Sequence, residues 1–371
     1  MIEVSGDAVA LVSGDSHSRA ASATLSRLRL PPAHLRAVGL AIFAAVALRL
    51  LAMCSVPLIP EEAYYWVYSQ NPQLSYFDHP PMVAWVIGAG TALFGNIELG
   101  VRIGAMALMA GVSLLLYRLA RMWFDRTTAI VSAVLVQILP VYFGIGLLAP
   151  MDAALCFFWL LCLVGVSAAV RSGRPGGWYL AGAALGGALL SKYSGIFLAA
   201  GVFVAVAGHP RWRRQLLTVH PYLAFALAAA LFSPVMAWNA SHDWASFRFQ
   251  FIERYAGDRI NFAAPLGFLG MQIVVLTPVP LVALGYLARR FVRQWRQRGR
   301  ASVARSWSVA RAWSGPRVPD RCWFAVASAV PGLAAATWTS LRSSTHINWT
   351  APIYLAVIPA AVALVLALDR L

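Results

Sequence analysis

The stretch AALCFFWLLCLVGVSAAVRSGR, residues 153–174, decides the fold class of this chain. Residues 153–170 carry no charged side chain, and two arginines follow within the next four positions. A helix of that length extends about 27 Å at ~1.5 Å per residue, which is close to the ~30 Å thickness of a bilayer's hydrocarbon core. The stretch therefore predicts a membrane-spanning helix that ends in a charged connector.

Apolar runs of this kind recur along the whole chain. Of its 371 residues, 60% are hydrophobic and only 12% are charged, a composition that excludes an ordinary soluble globular protein. The four cysteines stand in apolar runs without C-x-x-C spacing, so neither a disulfide framework nor a zinc site is indicated. The sequence thus predicts an all-α polytopic membrane protein. Its ten predicted spans are 36–56, 98–120, 128–148, 153–170, 178–191, 194–208, 217–238, 266–288, 322–341 and 350–368.

The arginines predict how these spans are oriented. The formal net charge of +16 comes from basic connectors that follow alternate spans rather than from a patch suited to nucleic acid. Cytoplasmic loops carry an excess of arginine and lysine, so we expect both ends of the chain to face the cytoplasm. Residues 1–35 are then a flexible cytoplasmic tail before a transmembrane domain at 36–371, and 289–321 form a basic cytoplasmic loop. The other basic connectors are RLARMWFDR (118–126), RSGR (171–174) and RWRR (211–214).

One apolar run, PPMVAWVIGAGTALFG at 80–95, is short for a span. If it crossed the membrane, the basic connector at 118–126 would face outward and the alternation would fail. We therefore expect an interfacial helix on the outer face, within a first periplasmic loop at 57–97. A second large periplasmic loop is expected at 239–265.

Scarce charges gather in the outer segments of this topology. The chain has 14 acidic residues, and three of them fall in IPEEAYYWVYSQNPQLSYFDHPP at 59–81. Asp152 is expected in the next outer turn, and Lys192, the only lysine, in another. Ionisable groups near a bilayer are costly, so their convergence on one face predicts a site. An ammonium group in a chain that otherwise uses arginine suggests a point charge that holds a phosphate.

A series of motifs then resembles a known family. The motifs are EEAYYW (61–66), YFDHPPMVAW (76–85), VRIGA (101–105), PMDAALCFFW (150–159), GGALLSKYSG (186–195), WNASHDWASFRFQ (238–250) and INWTAPIYL (347–355). Together they resemble the bacterial branch of the protein O-mannosyltransferase superfamily, which includes the aminoarabinose transferases that modify lipid A. The resemblance implies a GT-C glycosyltransferase fold over roughly 36–368. It also implies sugar transfer from a polyprenyl-phosphate donor on the outer membrane face.

The resemblance implies roles for the carboxylates as well. Glu61 stands where the family has its catalytic aspartate, and Glu62 matches the glutamate that follows. We expect Glu61 to be the general base that takes the proton of the acceptor hydroxyl, with inversion at the anomeric carbon; Glu62 and Asp152 are the alternatives for that base. A simpler interpretation also stays open, in which the glutamates are solvated charges at the start of a helix and Asp152 is a helix cap.

The departing phosphate needs cations or backbone donors. Asp78 and His79 match an acidic and a basic residue that precede a double proline in the aminoarabinose transferases, where the basic residue is thought to help hold phosphate. Histidine does so only when it is protonated. The expected phosphate-binding residues are His79, Arg102, Lys192, Arg254 and Arg259. Further substrate contacts are expected from Tyr64, Tyr65, Asp78, Trp244 and Trp349.

This chemistry requires no cofactor, and a divalent metal ion held by Asp78 and His79 is an open alternative. The expected partners are a polyprenyl-phosphate sugar, an envelope acceptor (a lipid, a glycan or a protein) and membrane lipids. The expected location is the bacterial inner membrane, with the site facing the periplasm; the sugar and the acceptor are not identified. The rival functions are a secondary transporter or a lipid-linked-sugar translocase. The absence of an internal repeat in the sequence, and charges in outer loops rather than near the midplane, favour the enzyme.

Overall fold

The computed structural model describes residues 32–148, 150–253, 263–275, 319–342 and 346–368. Every regular element in those ranges is a helix. Short 3₁₀ turns lie at Tyr193–Gly195, Trp212–Leu217 and Ile347–Thr350. The α-helices, in chain order, are α1 (Pro32–Ser55), α2 (Pro60–Gln70), α3 (Met82–Phe94), α4 (Glu98–Trp123), α5 (Arg126–Ile138), α6 (Pro140–Leu148), α7 (Pro150–Ser172), α8 (Gly176–Ser191), α9 (Ile196–Ala207), α10 (His220–Ser241), α11 (Ala245–Phe251), α12 (Ala264–Val275), α13 (Asp320–Ser340), α14 (Ala351–Tyr354) and α15 (Ile358–Leu368).

Each of the ten predicted spans contains helix. In the described residues, α4, α7, α10 and α13 are long and apolar enough to cross a membrane singly, and three bent pairs are long enough together: α1 with α2, α5 with α6, and residues 348–354 with α15. The predicted spans at 178–191 and 194–208 correspond to α8 and α9, whose 16 and 12 residues are fewer than the ~20 that a full crossing takes. The span predicted at 266–288 falls partly outside the described residues, which include its first part as α12. The predicted tail and the basic loop at 289–321 lie almost entirely outside them.

The span predicted as one helix at 128–148 is instead two helices, α5 and α6, which meet at 60°. Pro140 explains the break, because proline has no backbone N–H and disfavours the helical conformation in the residue before it. Leu139 is accordingly extended, with φ −62° and ψ 130°. A second break, of 64°, divides the span predicted at 350–368 just before α15.

A buried arginine stabilises the break between α5 and α6. Arg49 of α1 is only 1% exposed and donates to the backbone carbonyls of Gln137, Tyr142 and Phe143 over 3.2, 3.1 and 3.3 Å. It also donates to the side-chain oxygen of Gln137. A buried carbonyl without a donor is costly, so a guanidinium with its fan of N–H groups suits a place where the regular helical bonding stops.

The run predicted to lie on the outer face, 80–95, forms α3, which has 13 residues. At ~1.5 Å per residue it is about 20 Å long, too short to cross a ~30 Å hydrocarbon core. Its residues Val83 and Ile87 are fully buried. The helix touches α4 backbone to backbone, since a β-carbon added at Gly90 would lie 2.2 Å from the carbonyl oxygen of Gly100. Its placement at the membrane surface stays a prediction.

Helix α7 forms the centre of the packed core. It packs most extensively on α8 and α4, and its residues Leu155, Trp159 and Leu163 are almost completely buried. Small residues let α7 and α8 approach closely: a β-carbon added at Gly165 would lie 2.8 Å from the carbonyl oxygen of Gly177. Such contacts let helix backbones associate within a membrane, where van der Waals packing replaces the hydrophobic effect. The contact sets the C-terminal end of α8 beside the N-terminal end of α7.

Candidate active site

The first pair of charged residues joins α2 to α4. Arg102 of α4 and Glu62 of α2 are each 1% exposed and form a bidentate ion pair, with Nε–Oε1 and Nη2–Oε2 distances of 2.7 Å. Arg102 also donates to the carbonyls of Val56 (2.7 Å) and Pro57 (3.0 Å), just beyond the end of α1. Glu62 in turn accepts a hydrogen bond from the backbone N–H of Ile59 over 3.0 Å, which caps α2.

This geometry indicates a structural role for Arg102 and Glu62. The two groups fix α1, α2 and α4 relative to one another across the 76° bend between α1 and α2. A further guanidinium hydrogen of Arg102 points to the carbonyl of Met53 over 3.4 Å. Since all of its N–H groups are engaged and its side chain is buried, the geometry argues against the expected role of Arg102 in holding phosphate. It likewise argues against Glu62 as the base.

Glu61, the neighbouring residue, lies in the first turn of α2 and is exposed. Its carboxylate has no hydrogen-bond partner among the described residues. Burial raises the pKa of Tyr65 above its ordinary value, and the negative charges of Asp78, Asp152 and Glu61 raise it further. Three carboxylates from three segments of the chain therefore act electrostatically on one tyrosine. Their predicted convergence on one catalytic site stays a prediction.

Asp78 is held by residues of α2 and α11. The Tyr68 hydroxyl donates to its Oδ1, and the hydroxyls of Tyr64 and Tyr68 lie 2.5 Å apart. Burial and the hydrogen bonds to Asp78 and Tyr64 raise the pKa of Tyr68, so the phenol stays protonated and remains a donor. His79 Nε2 lies 3.9 Å from Asp78 Oδ2, and Gln250 donates to the backbone carbonyl of Asp78 over 2.6 Å.

The second ion pair joins α7 to the end of α8. Lys192 Nζ lies 2.9 Å from Asp152 Oδ1, and the carboxylate is 2% exposed while the ammonium side chain is 16% exposed. Lys192 follows the last residue of α8 in extended conformation, and its backbone N–H still closes the helix on the carbonyl of Ala188. An ammonium group has three N–H donors. Because one is directed to Asp152, others remain for a ligand.

Asn348 completes this group and was not predicted as a site residue. Its side-chain amide donates to Asp152 Oδ2 over 2.6 Å, so both carboxylate oxygens are engaged. The surrounding segment is anchored by Thr350, whose hydroxyl donates to Gln272, and by the carbonyl of Ala351, which accepts from Tyr142 over 2.7 Å. The only signal in the sequence was the motif INWTAPIYL, whose asparagine also forms an N-x-T sequon. Sequence distance hid the contact, since Asn348 and Asp152 are 196 residues apart.

An apolar cavity of about 360 Å³ opens beside Lys192. Its wall is mostly apolar and includes several aromatic side chains, and polar atoms are few. Such a cavity, with one cation at its wall, suits a ligand that combines an apolar body with an anionic group. Its lining includes His79, Trp159, Lys192, Gln250, Trp338 and Trp349.

Trp349 and Trp244, both predicted to contact substrate, lie at this cavity and near it, respectively. Trp349 lines it directly. Trp244 stacks on Phe247 at 5.9 Å, and Phe247 contacts the cavity residue Tyr193 at 5.4 Å. Asp243 and Trp244 have φ of 52° and 56°. Residues other than glycine adopt this left-handed backbone conformation only at a cost in free energy. Arg254 and Arg259 lie outside the described residues.

The described residues contain no group of three or more histidine, cysteine, aspartate or glutamate side chains arranged to hold a metal ion. Asp78 and His79 are adjacent in space, so they supply at most two ligands from that set. The metal alternative stays a prediction.

Comparison with known proteins places this geometry in context. Residues 78–238 match the family model described as dolichyl-phosphate-mannose-protein mannosyltransferase. The undecaprenyl phosphate-alpha-4-amino-4-deoxy-L-arabinose arabinosyl transferase of Erwinia tasmaniensis is 31% identical over 253 residues, which are 64% of this chain and 44% of that protein. The lipid A galacturonosyltransferase RgtD of Rhizobium johnstonii is 29% identical over 243 residues, which are 63% of this chain and 49% of that protein. The chain spans about half the length of the curated relatives it matches.

Solved structures show the same fold. ArnT from Cupriavidus metallidurans in the apo state has a TM-score of 0.64 at 20% identity, over 91% of this chain and 60% of that one. The same protein bound to undecaprenyl phosphate gives the same TM-score and identity over 90% of this chain. The predicted fold class is therefore confirmed: the chain is a multi-pass helical membrane protein with a GT-C fold.

Proposed function

We propose, because residues 78–238 match the family model described as dolichyl-phosphate-mannose-protein mannosyltransferase, that this chain moves a sugar from a polyprenyl-phosphate donor to an acceptor in the cell envelope. One observation carries the proposal. The Lys192 ammonium is held by the buried Asp152 carboxylate at the wall of an apolar cavity of about 360 Å³. A polyprenyl phosphate has the matching chemistry, since an apolar chain ends in an anion.

The donor's phosphate is proposed to lie against Lys192, with its first isoprenoid units in the cavity. His79 lines the same cavity and adds a second positive charge when it is protonated. Asp152 keeps Lys192 in place rather than acting on substrate. The carboxylate accepts a charge-assisted hydrogen bond from the ammonium over 2.9 Å, which fixes the position of the cation at the cavity wall.

Glu61 is proposed to be the general base. In the transfer step, the acceptor oxygen forms a bond to the anomeric carbon while its proton passes to the Glu61 carboxylate. The bond between the anomeric carbon and the phosphate oxygen breaks, and its electron pair leaves with polyprenyl phosphate. Attack opposite the departing phosphate inverts the anomeric centre. The exposure of Glu61 supports this assignment, because Glu62 and Asp152 are buried in ion pairs.

The site is proposed to face the periplasm from the bacterial inner membrane, because the basic connectors lie on the other side in the predicted topology. The acceptor is proposed to be an envelope lipid. Relatives named for an aminoarabinose transfer and for lipid A galacturonosyl transfer support that class. The identity of the sugar is left to experiment.

The decisive experiment incubates the purified protein in bilayers with labelled undecaprenyl-phosphate sugars and lipid A. Sugar appearing on lipid A, together with released undecaprenyl phosphate, supports the proposal. Movement of the intact donor between leaflets without sugar transfer would support a translocase instead. Binding of undecaprenyl phosphate alone is measured in parallel: Lys192→Met should weaken it, whereas Arg126→Met, at the start of α5, should not.

A further inference from the structure

A second cavity, of about 460 Å³, lies at the other end of α8 from Lys192. Its wall takes Trp178, Ala181 and Gly182 from the first half of that helix, whereas Lys192 follows the last residue. Helices α7, α9 and α10 supply most of the rest of the wall. We call it the α8–α10 cavity; it is separate from the candidate active site.

The α8–α10 cavity is almost wholly apolar and opens sideways. Its outer wall includes Phe203 of α9 and Tyr222 and Phe225 of α10, each of which is more than half exposed. Apolar side chains exposed on a membrane helix face hydrocarbon rather than water. The opening is therefore accessible to the chains of membrane lipids.

A turn that lines the cavity carries positive charge. Leu216 lines it from the 3₁₀ turn Trp212–Leu217, and this turn also presents the exposed residues Arg213 and Arg214. Neither arginine has an acidic partner among the described residues. Arg211, by contrast, lies 3.5 Å from Asp320. Exposed cations on a turn that also lines an apolar cavity favour a ligand with an anionic group.

We propose that the α8–α10 cavity binds an acyl chain of an anionic phospholipid whose phosphate lies against Arg213 and Arg214. The apolar wall encloses the acyl chain of the lipid. The arginines favour an anionic over a zwitterionic headgroup. The occupant belongs to the membrane surface opposite the candidate active site. It is a structural lipid, distinct from the sugar donor, and its binding does not depend on the proposed function.

The test measures lipids retained by the full-length protein. Purified protein in detergent is incubated with equal amounts of phosphatidylglycerol and phosphatidylcholine, and native mass spectrometry counts the bound molecules of each. We expect preferential retention of phosphatidylglycerol. Val202→Trp fills the cavity and should abolish that retention. The pair Arg213→Gln and Arg214→Gln should keep the chain site but reduce the preference, by about five-fold for each arginine removed.

Matched variants separate these effects from general ones. Leu227→Trp, on a part of α10 that does not line the cavity, introduces the same side chain and should leave retention unchanged. Arg118→Gln with Arg121→Gln removes two exposed arginines from α4 and should leave the preference unchanged. Because the arginine variants alter only the surface, they test the proposal even if Val202→Trp fails to fold. Equal retention of both lipids, retention of neither, or retention insensitive to both variants would overturn it.

Discussion

Two adjacent glutamates at the start of α2 face different surroundings. Glu62 is enclosed with Arg102, while Glu61 is exposed beside Tyr65. Helical geometry explains the difference, because successive residues are turned by about 100° and cannot share a face. The distinction yields opposite expectations for the same Glu→Gln change at the two positions.

Glu61→Gln should lower sugar transfer by ~10²–10⁴-fold while undecaprenyl phosphate still binds. The amide keeps the shape of the side chain but cannot accept the acceptor's proton. Single-turnover transfer and donor binding are measured on the same preparation. If transfer stays near that of the parent protein while Asp152→Asn abolishes it without loss of donor binding, the base lies in α7 and the assignment to Glu61 is wrong.

Glu62→Gln should instead destabilise the fold, since it leaves the Arg102 guanidinium buried without its counter-charge. Removing one partner of a buried ion pair costs about 3–5 kcal/mol. The thermal unfolding midpoint in detergent reports the loss, with Glu98→Gln as a control in the first turn of α4. An unchanged midpoint for Glu62→Gln would show that the pair does not hold α2 to α4.

Asn348→Leu should weaken donor binding through Lys192. Loss of the amide leaves Asp152 Oδ2 without its donor, so the carboxylate no longer has a fixed orientation. A hydrogen bond to a charged group contributes about 1.5 kcal/mol or more, which corresponds to roughly ten-fold in the donor's KM, with less change in kcat. A double-mutant cycle with Lys192→Met tests the coupling. Additive effects of the two changes would exclude Asn348 as a positioning residue.

At the scale of helices, the breaks within the apolar runs shape the fold as much as the spans do. Pro140 divides one apolar run into α5 and α6, and Arg49 of α1 occupies the break. The buried arginine has no carboxylate partner among the described residues and is satisfied by carbonyl oxygens. Arg49 is therefore accommodated in the core because the backbone at the break departs from regular helix and offers carbonyl acceptors.

Arg49→Met should lower the thermal unfolding midpoint, because each buried carbonyl left without a donor costs ~1–3 kcal/mol. Arg49→Lys should rescue little, since one ammonium cannot reproduce the fork of the guanidinium. Arg118→Met, at an exposed position of α4, is the matched control. A midpoint equal to that of the parent protein would mean that the break is held by packing alone.

For the whole molecule, the distribution of arginine predicts which ends of the helices face the cytoplasm. Reporter fusions after Arg126 and after Arg174 should score cytoplasmic, because both positions follow basic connectors. A fusion after Ser241, at the end of α10, should score on the opposite side. A periplasmic score at Arg126 or Arg174 would overturn the topology and would place α3 across the membrane.

Much of this architecture was predictable from the sequence, for local reasons. Long uncharged runs must form helices in a bilayer, because every backbone group there needs an internal partner. The same logic explains why each predicted span contains helix in the residues that the structure describes. Because charged residues are scarce, Glu61, Asp152 and Lys192 could also be predicted as site residues from the sequence. An ionisable group beside an apolar helix costs free energy and by default indicates a functional site.

Only the tertiary structure determined which charged residues form ion pairs with each other. Arg102 and Lys192 were both predicted to hold phosphate, yet Arg102 is buried in an ion pair with Glu62, whereas Lys192 pairs with Asp152 and also lines a cavity. The pairing depends on how α2, α4, α7 and α8 pack, and on a contact between residues 196 positions apart at Asn348. Composition and periodicity describe one helix at a time. Side-chain partners across helices are set by packing contacts that no single stretch of sequence contains.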